Sequence, residues 1–193
     1  MLTQEVIEYI SQKQHEHVQI VSLSLGDLEV RVASEGLKQV LAFLRDDPAL
    51  RFTLLLSVTA VDYLDAAAER FEVVYHLRSL HLAASRQAAL IRVKVSVSEN
   101  NPTISSIVSL WPGANFMERE CWDMYGVVFE GHPNLTRILM YDEFKGHPLR
   151  KDYPVQLKQP RVQLRYPEVE NTARYMHRPS LGGDLVQISP RKG

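Results

Sequence analysis

Five side chains in the second half of the chain are of types that perform acid–base or metal-assisted hydrolysis: Asp123, His132, Asp142, His147 and Asp152. Imidazole and carboxylate together can hold a divalent metal or move a proton. Their setting argues against that use. Each histidine is wedged between glycine and proline, in Gly131-His132-Pro133 and Gly146-His147-Pro148, which is turn chemistry. No H-E-x-x-H helix brings two imidazoles onto one face, and no G-x-S-x-G elbow offers a serine nucleophile. His15 and His17 are two residues apart, so a helix would point them in different directions; they read as a solvated helix end. No G-x-G-x-x-G turn and no P-loop provides a seat for a dinucleotide or a nucleoside triphosphate. A free-standing metal-dependent hydrolase is therefore kept only as the alternative from a different functional class.

Cys121 is the single cysteine of 193 residues. It excludes a disulfide within the chain, which suits a reducing compartment. It equally excludes an iron–sulfur cluster held by four thiolates of this chain. Flanked by Glu120 and Trp122 inside a helical run, it reads as a packed thiol. Apolar residues make up 45% of the chain, ordinary for a globular domain, and no run approaches the ~20 residues needed to span a bilayer. The Met1–Glu5 stretch reads as neither signal nor transit peptide, so a cytoplasmic chain is expected. Net charge is -1, unevenly spread. Residues 155–193 carry seven basic against three acidic side chains, a net +4. A basic tail of that strength suits an acidic protein surface; nucleic acid is not expected.

Charge and aromatic side chains crowd the stretch from Glu118 to Pro154. Glu118, Arg119, Glu120 and Asp123 stand beside Cys121, Trp122 and Tyr125. Arg137 lies between the two Gly-His-Pro turns, and Arg150, Asp152 and Tyr153 close the stretch. Carboxylates among aromatics need guanidinium or main-chain donors when covered. The spacing predicts a network of Glu118, Arg119, Asp123, Arg137 and Arg150 in or near a partner interface. Arg119 and Asp123, at i,i+4, are the expected helical pair.

The elements that would hold this stretch follow from periodicity. A helix from Thr3 turns Val6, Ile7 and Ile10 to one side. Ile20–Leu25 and Leu28–Val32 read as a hairpin about Gly26-Asp27. Ser34 is the expected cap of a helix with Leu37, Val40, Leu41 and Leu44 inward. Three strands are predicted next. Phe52–Leu64, with its Leu54-Leu55-Leu56 run, reads as central and covered on both faces; Phe71–Leu80 and Ala89–Val97 alternate. A helix is predicted from residue 100 with Ile104, Ile107, Val108 and Trp111 in one stripe. A second, capped by Asn115, runs Phe116–Tyr125 and stops at Gly126. Leu135, Ile138, Leu139 and Met140 read as a strand or short helix that must be covered. Past Pro154, recurrent prolines and Gly182-Gly183 destroy every period, yet apolar residues persist. The expected architecture is α+β: an antiparallel sheet of about five strands with helices packed on one side over residues 1–154, and an extended arm over 155–193.

The order E-R-E-x-W-D-M-Y-G, G-H-P-x-L-x-R-I-L and G-H-P-L-R-K-D-Y-P, preceded by Trp111-Pro112-Gly113-Ala114-Asn115, resembles the signature of the 30 kDa subunit of respiratory complex I. Outside Trp111–Pro154 the likeness is one of layout and length. The resemblance implies a subunit of a proton-translocating NADH-quinone oxidoreductase with no catalytic residue, cofactor or metal of its own. FMN and the iron–sulfur clusters would sit in partner subunits. It implies a place in the peripheral arm, at the cytoplasmic face of the bacterial inner membrane, without a bilayer span. The large quinone-site subunit and neighbouring cluster-bearing subunits would be its partners, and the arm would run over the former. Glu118, Arg119, Glu120, Trp122, Asp123, Tyr125, His132, Arg137, His147, Arg150, Asp152 and Tyr153 would form its structural and interface network. Membrane-bound hydrogenases and a ferredoxin-dependent relative use similar subunits, and the motif does not separate them.

Overall fold

The computed structural model describes residues 3–14, 16–24, 27–82, 89–156 and 158–160. His15, Gly26 at the expected hairpin turn and the expected arm beyond residue 160 lie outside the described residues. The first compact unit runs Met1–Gln159, five residues past the expected boundary. Gln159 extends it by accepting the Lys145 N–H at 2.9 Å and donating to the Lys145 carbonyl at 3.0 Å.

Helix α1 (Thr3–Lys13) precedes the hairpin β1 (Val18–Ser24) and β2 (Asp27–Val32). A 3-10 turn, Ser34–Gly36, leads into α2 (Leu37–Asp46). Ser34 thus starts the turn, and α2 has no side-chain cap. Three strands follow, β3 (Leu54–Asp62), β4 (Phe71–Arg78) and β5 (Leu90–Val97), then the short β6 (Thr103–Ser105), α3 (Ala114–Tyr125) and β7 (Val128–Glu130). The main sheet has the order β1-β2-β5-β4-β3. Three of its pairings are antiparallel, as expected. The fourth, β2 with β5, is parallel, so the sheet is mixed. Its cause is the α2 crossover: β3 starts in the same direction as β2, and the β3-β4-β5 meander returns β5 alongside β2.

Alternation decides which face is covered. Leu28 and Val30 align with Ile91 and Val93, which align in turn with Leu77 and Tyr75 and then Val58. These join Val6 and Ile10 of α1, the inward stripe of α2, and Ala114 and Cys121 of α3 in one core. Helices therefore pack on one side. The other face carries a closed ring of charge. Arg31 contacts Glu29 at 3.4 Å and Glu72 at 3.3 Å, and Lys94 contacts the same two carboxylates at 3.1 and 3.5 Å.

Two further expectations fail for identifiable reasons. β3 is an edge strand rather than a central one, with Leu54 and Leu56 exposed. Its apolar run reflects a bulge between Leu55 and Ser57, where one extra residue breaks alternation. The helix expected from residue 100 is instead β6 pairing in parallel with β7, followed by a single turn in which the Trp111 N–H meets the Ile107 carbonyl at 3.0 Å. The three-residue repeat of Ile104 and Ile107 suits that strand and turn as well as a helix.

Candidate functional site

Helix α3 ends where the sequence places its end. Gly126 takes φ +79° and its N–H meets the Trp122 carbonyl at 2.8 Å, a left-handed stop that glycine adopts without a Cβ penalty. A Cβ there would collide with Arg150 Nη2 and lie 2.7 Å from the His147 ring. The start is different: α3 begins at Ala114 without a side-chain cap. Asn115 lies inside the helix, and its carbonyl accepts His132 Nε2 at 3.1 Å.

The last turn of α3 organises everything that follows it. The Asp123 carboxylate, fully buried, receives Arg137 Nη1 at 2.5 Å and the N–H groups of Ile138, Leu139 and Met140 at 3.1, 2.9 and 2.9 Å. Burial pushes its pKa up, but those main-chain donors and Arg137 outweigh it and hold the group below the usual carboxylate range. The orphan carbonyls of the helix end are then capped in sequence order by the second Gly-His-Pro-Leu-Arg turn. His147 Nδ1 donates to Asp123 O at 3.0 Å, Leu149 N to Met124 O at 3.1 Å and Arg150 Nε to Tyr125 O at 2.5 Å. Arg137 spends its other nitrogen on the carbonyls of Phe144 and Gly146 at 3.0 and 3.1 Å, and its guanidinium lies over Trp122 and Phe144. Phe144 stacks on Tyr153 at 6.0 Å.

A second charge cluster ties the stretch to the sheet. Arg70, buried at the start of β4, chelates Asp62 at 3.0 Å through two nitrogens and reaches Asp152 at 2.6 Å and Glu99. Asp62 also receives the Lys151 N–H at 2.8 Å. Arg70 and Arg150 both lie 5.1 Å from the Phe71 ring, an attraction that eases two like charges so close together.

Most of the twelve expected residues thus surround the end of α3 or the strand ends beside it, and His132 meets the first turn of the same helix. Arg119 does not pair with Asp123. It donates to the Thr136 carbonyl and hydroxyl at 3.0 Å and to the Arg137 carbonyl at 3.1 Å, while Arg137 takes the carboxylate. Glu118 stands apart from the network, turned into the core with its Oε1 on the Ile107 N–H at 2.7 Å. Glu120 is exposed and joins no ion pair among the described residues. Ile138 and Leu139, expected to be covered, are 37% and 57% exposed, because the Asp123 carboxylate gathers their N–H groups and turns the side chains out. Asp62, Arg70 and Glu99 join the site without any expectation from the sequence. Asp62 does carry a signal: it continues the Val58-Ala60 inward face of β3 with a carboxylate.

Both histidines are tied to main chain. His132 Nδ1 accepts the Asn134 N–H at 3.0 Å and its Nε2 meets Asn115 O, while His147 caps α3. Among the described residues, no three His, Cys, Asp or Glu side chains converge to hold a metal ion. Burial, then Glu120 and Glu118, push the Cys121 thiol up to about 12, where a thiolate nucleophile is out of reach. Among the described residues, the site holds main chain in place.

Residues 30–159 match the family described as respiratory-chain NADH dehydrogenase, 30 Kd subunit. The C subunit of the NADH-quinone oxidoreductase of Roseiflexus castenholzii is 54% identical over 130 residues, covering 67% of this chain and 71% of that one. The counterpart of the same name in Parvibaculum lavamentivorans is 44% identical over 171 residues, 89% of this chain and 80% of its own. Among solved structures, a trypsin-resistant fragment of Nqo5 is 34% identical with a TM-score of 0.55, covering 68% of this chain and 98% of the fragment. A chain from the membrane-bound sulfane sulfur reductase, an archaeal respiratory membrane complex, is similar in fold, at 21% identity and a TM-score of 0.65 over 95% of this chain and 98% of that one.

Proposed function

This chain belongs to the family of the 30 kDa subunit of respiratory-chain NADH dehydrogenase, and from that membership we propose that it is a cofactor-free structural subunit of the peripheral arm. In this reading it supports the large quinone-site subunit beside the cluster-bearing subunits, at the cytoplasmic face of the inner membrane. Electrons pass from NADH through FMN and iron–sulfur clusters to quinone in the partner chains. No helix of the described residues is long and apolar enough to cross a membrane, and in this proposal attachment is by docking. The observation that carries the reading is how the signature residues are used. Asp123, Arg137, His147 and Arg150 fix main chain around the end of α3, which supports a structural role for the signature.

The arm over residues 155–193, with its net +4 charge, wraps an acidic surface of the large subunit in this proposal. The relative studied as a trypsin-resistant fragment fits a body that survives protease and a tail that does not. Ordering such a segment costs ~1–2 kcal/mol per residue of backbone entropy, so a large interface is needed to hold it.

Affinity purification of the full chain from its host tests the reading, with mass spectrometry of the partners and limited trypsin digestion. The expected partners carry flavin and iron–sulfur motifs. Lys158, Arg161, Arg165 and Arg174 should be cut early in the free subunit and protected in the assembly. Partners with a nickel site would place the chain in a hydrogenase instead. Equal tail resistance in both states would remove the docking role of the arm.

A further inference from the structure

Arg70, Arg119, Arg137 and Arg150 gather about the end of α3 and the strand ends beside it, and they are used unequally. Arg70 binds Asp62, Glu99 and Asp152. Arg137 donates to Asp123 and to the Phe144 and Gly146 carbonyls. Arg119 donates through Nε and Nη2 to Thr136 and Arg137. Arg150 donates through Nε alone, to Tyr125 O at 2.5 Å. Among the described residues its Nη1 and Nη2 meet no acceptor and its guanidinium joins no ion pair. Neither nitrogen is a buried unsatisfied donor, so both reach solvent.

This open guanidinium is held still. Its Nε is tied to the helix end, its Cζ lies 5.1 Å from the Phe71 ring, and the group rests against Gly126, where a Cβ would collide with Nη2. The His147 ring borders the same spot, pinned through Nδ1 to Asp123 O at 3.0 Å. Burial, then Arg70, push the Arg150 pKa below the ordinary arginine value. Asp152, Asp62 and Glu99 act the other way, but Arg70 already binds all three. Lys151, next along the chain, is exposed and joins no ion pair among the described residues. Leu149, on the other side, is 51% exposed. An exposed leucine, a fixed cation with an open fork and a second cation thus occupy consecutive positions. The Arg150 side chain is ordered before any partner arrives, which lowers the cost of binding. Its Nη1–Nη2 edge matches the two oxygens of a carboxylate.

We propose, resting on the structural-subunit reading above, that Arg150 is a docking site for an aspartate or glutamate side chain of a neighbouring subunit, received on Nη1 and Nη2 as a two-pronged fork. Lys151 adds attraction at longer range, and Leu149 offers apolar contact at the rim. The signature then does two jobs. Asp123, Arg137 and His147 build the turn, and Arg150 presents its free edge to the partner.

Two measurements test this, on the full chain and on the assembly. In the isolated full chain, sodium acetate replacing sodium chloride at constant ionic strength should move the Arg150 Nη signals saturably in arginine side-chain 15N NMR. The signals of Arg70 and Arg137 should stay in place, and sodium phosphate should move Arg150 less. In the assembly purified from a host carrying Arg150→Lys, a water-soluble carbodiimide should link position 150 to an aspartate or glutamate of another subunit. If that variant does not assemble, phenylglyoxal decides: wild-type Arg150 should be modified in the free chain and spared in the assembly. The proposal is overturned if acetate leaves Arg150 unmoved, if phosphate moves it more, if position 150 links only to carboxylates of this chain, or if phenylglyoxal labels both states equally. An assembly with flavin and iron–sulfur partners but no such link removes the docking site and leaves the structural reading standing. A link within nickel-bearing partners keeps the site and moves the chain to a hydrogenase. A chain that copurifies with no partner overturns both.

Discussion

Asp123 and Arg137 meet at 2.5 Å across fourteen residues of chain, while Arg119, one turn before Asp123 on the same helix, turns to the main chain of Thr136 and Arg137 instead. A long-range pair therefore displaces the local one. An exposed i,i+4 pair is worth a few tenths of a kcal/mol. A covered carboxylate with four donors cannot be left without its partner so cheaply.

That difference is measurable by chemical denaturation. Arg137→Ala should cost roughly 3–5 kcal/mol because it strands a buried carboxylate, whereas Arg119→Ala should cost under about 1 kcal/mol. In the host, Arg137→Ala should lower the amount of assembled complex, with turnover per assembled complex unchanged. Normal assembly with lost turnover would point to a catalytic role instead.

Acid should release the Arg70 cluster. Burial alone would raise the Asp62 carboxyl, but Arg70 and the N–H groups of Lys151 and Leu64 outweigh it and bring it down to about 2 from 3.8. Because the shift is downward, the stabilisation is present above the unfolded value and is lost as pH falls through the folded one. That is roughly 2 kcal/mol, lost between about pH 4 and pH 2. Circular dichroism should show wild-type stability falling through this window. Asp62→Asn should start lower at neutral pH and fall less steeply across it, since Asp123 still titrates there; an equal slope in both proteins would contradict the assignment.

Gly126→Ala should be destabilising out of proportion to one methyl group. The left-handed conformation costs an L-residue ~1–2 kcal/mol, and the new Cβ also meets Arg150 and His147. A drop in Tm of about 4–8 °C is expected for a loss of about 2 kcal/mol in a domain of this size. Calorimetry on the full chain checks it, with Gly113→Ala as the comparison, since a Cβ there meets nothing within 4 Å.

Cys121 should be unreactive in the native protein. Its thiol is buried and pushed up to about 12. Alkylation at neutral pH should be negligible until denaturant exposes the helix, so labelling rates should track unfolding. Rapid labelling of the native chain would mean that α3 opens independently of the body.

Much of this molecule is set by neighbours along the chain. Strand alternation in Phe71–Arg78 and Leu90–Val97, the apolar stripe of α2 and the glycine stop of α3 all follow from residues within a few positions of one another, so periodicity shows them. The run from Glu118 to Pro154 likewise announces the family, because its residue types and order are visible without coordinates. The choice of partner is not. Arg119 and Arg137 are equally plausible mates for Asp123 until the chain after α3 folds back and delivers one of them with three N–H groups. Glu118 and Asp123 look alike in sequence, yet one faces the core and the other the returning loop, because they lie on different sides of the helix. Leu54-Leu55-Leu56 looks central until the bulge and the α2 crossover leave β3 at the edge. Asp62 and Arg70 acquire their role only when Asp152, 82 residues beyond Arg70, closes on them. Local pattern decides which element forms and which side it covers; which charge meets which is decided by chain closure, since pairing energy depends on distances and burial that exist only in the folded state.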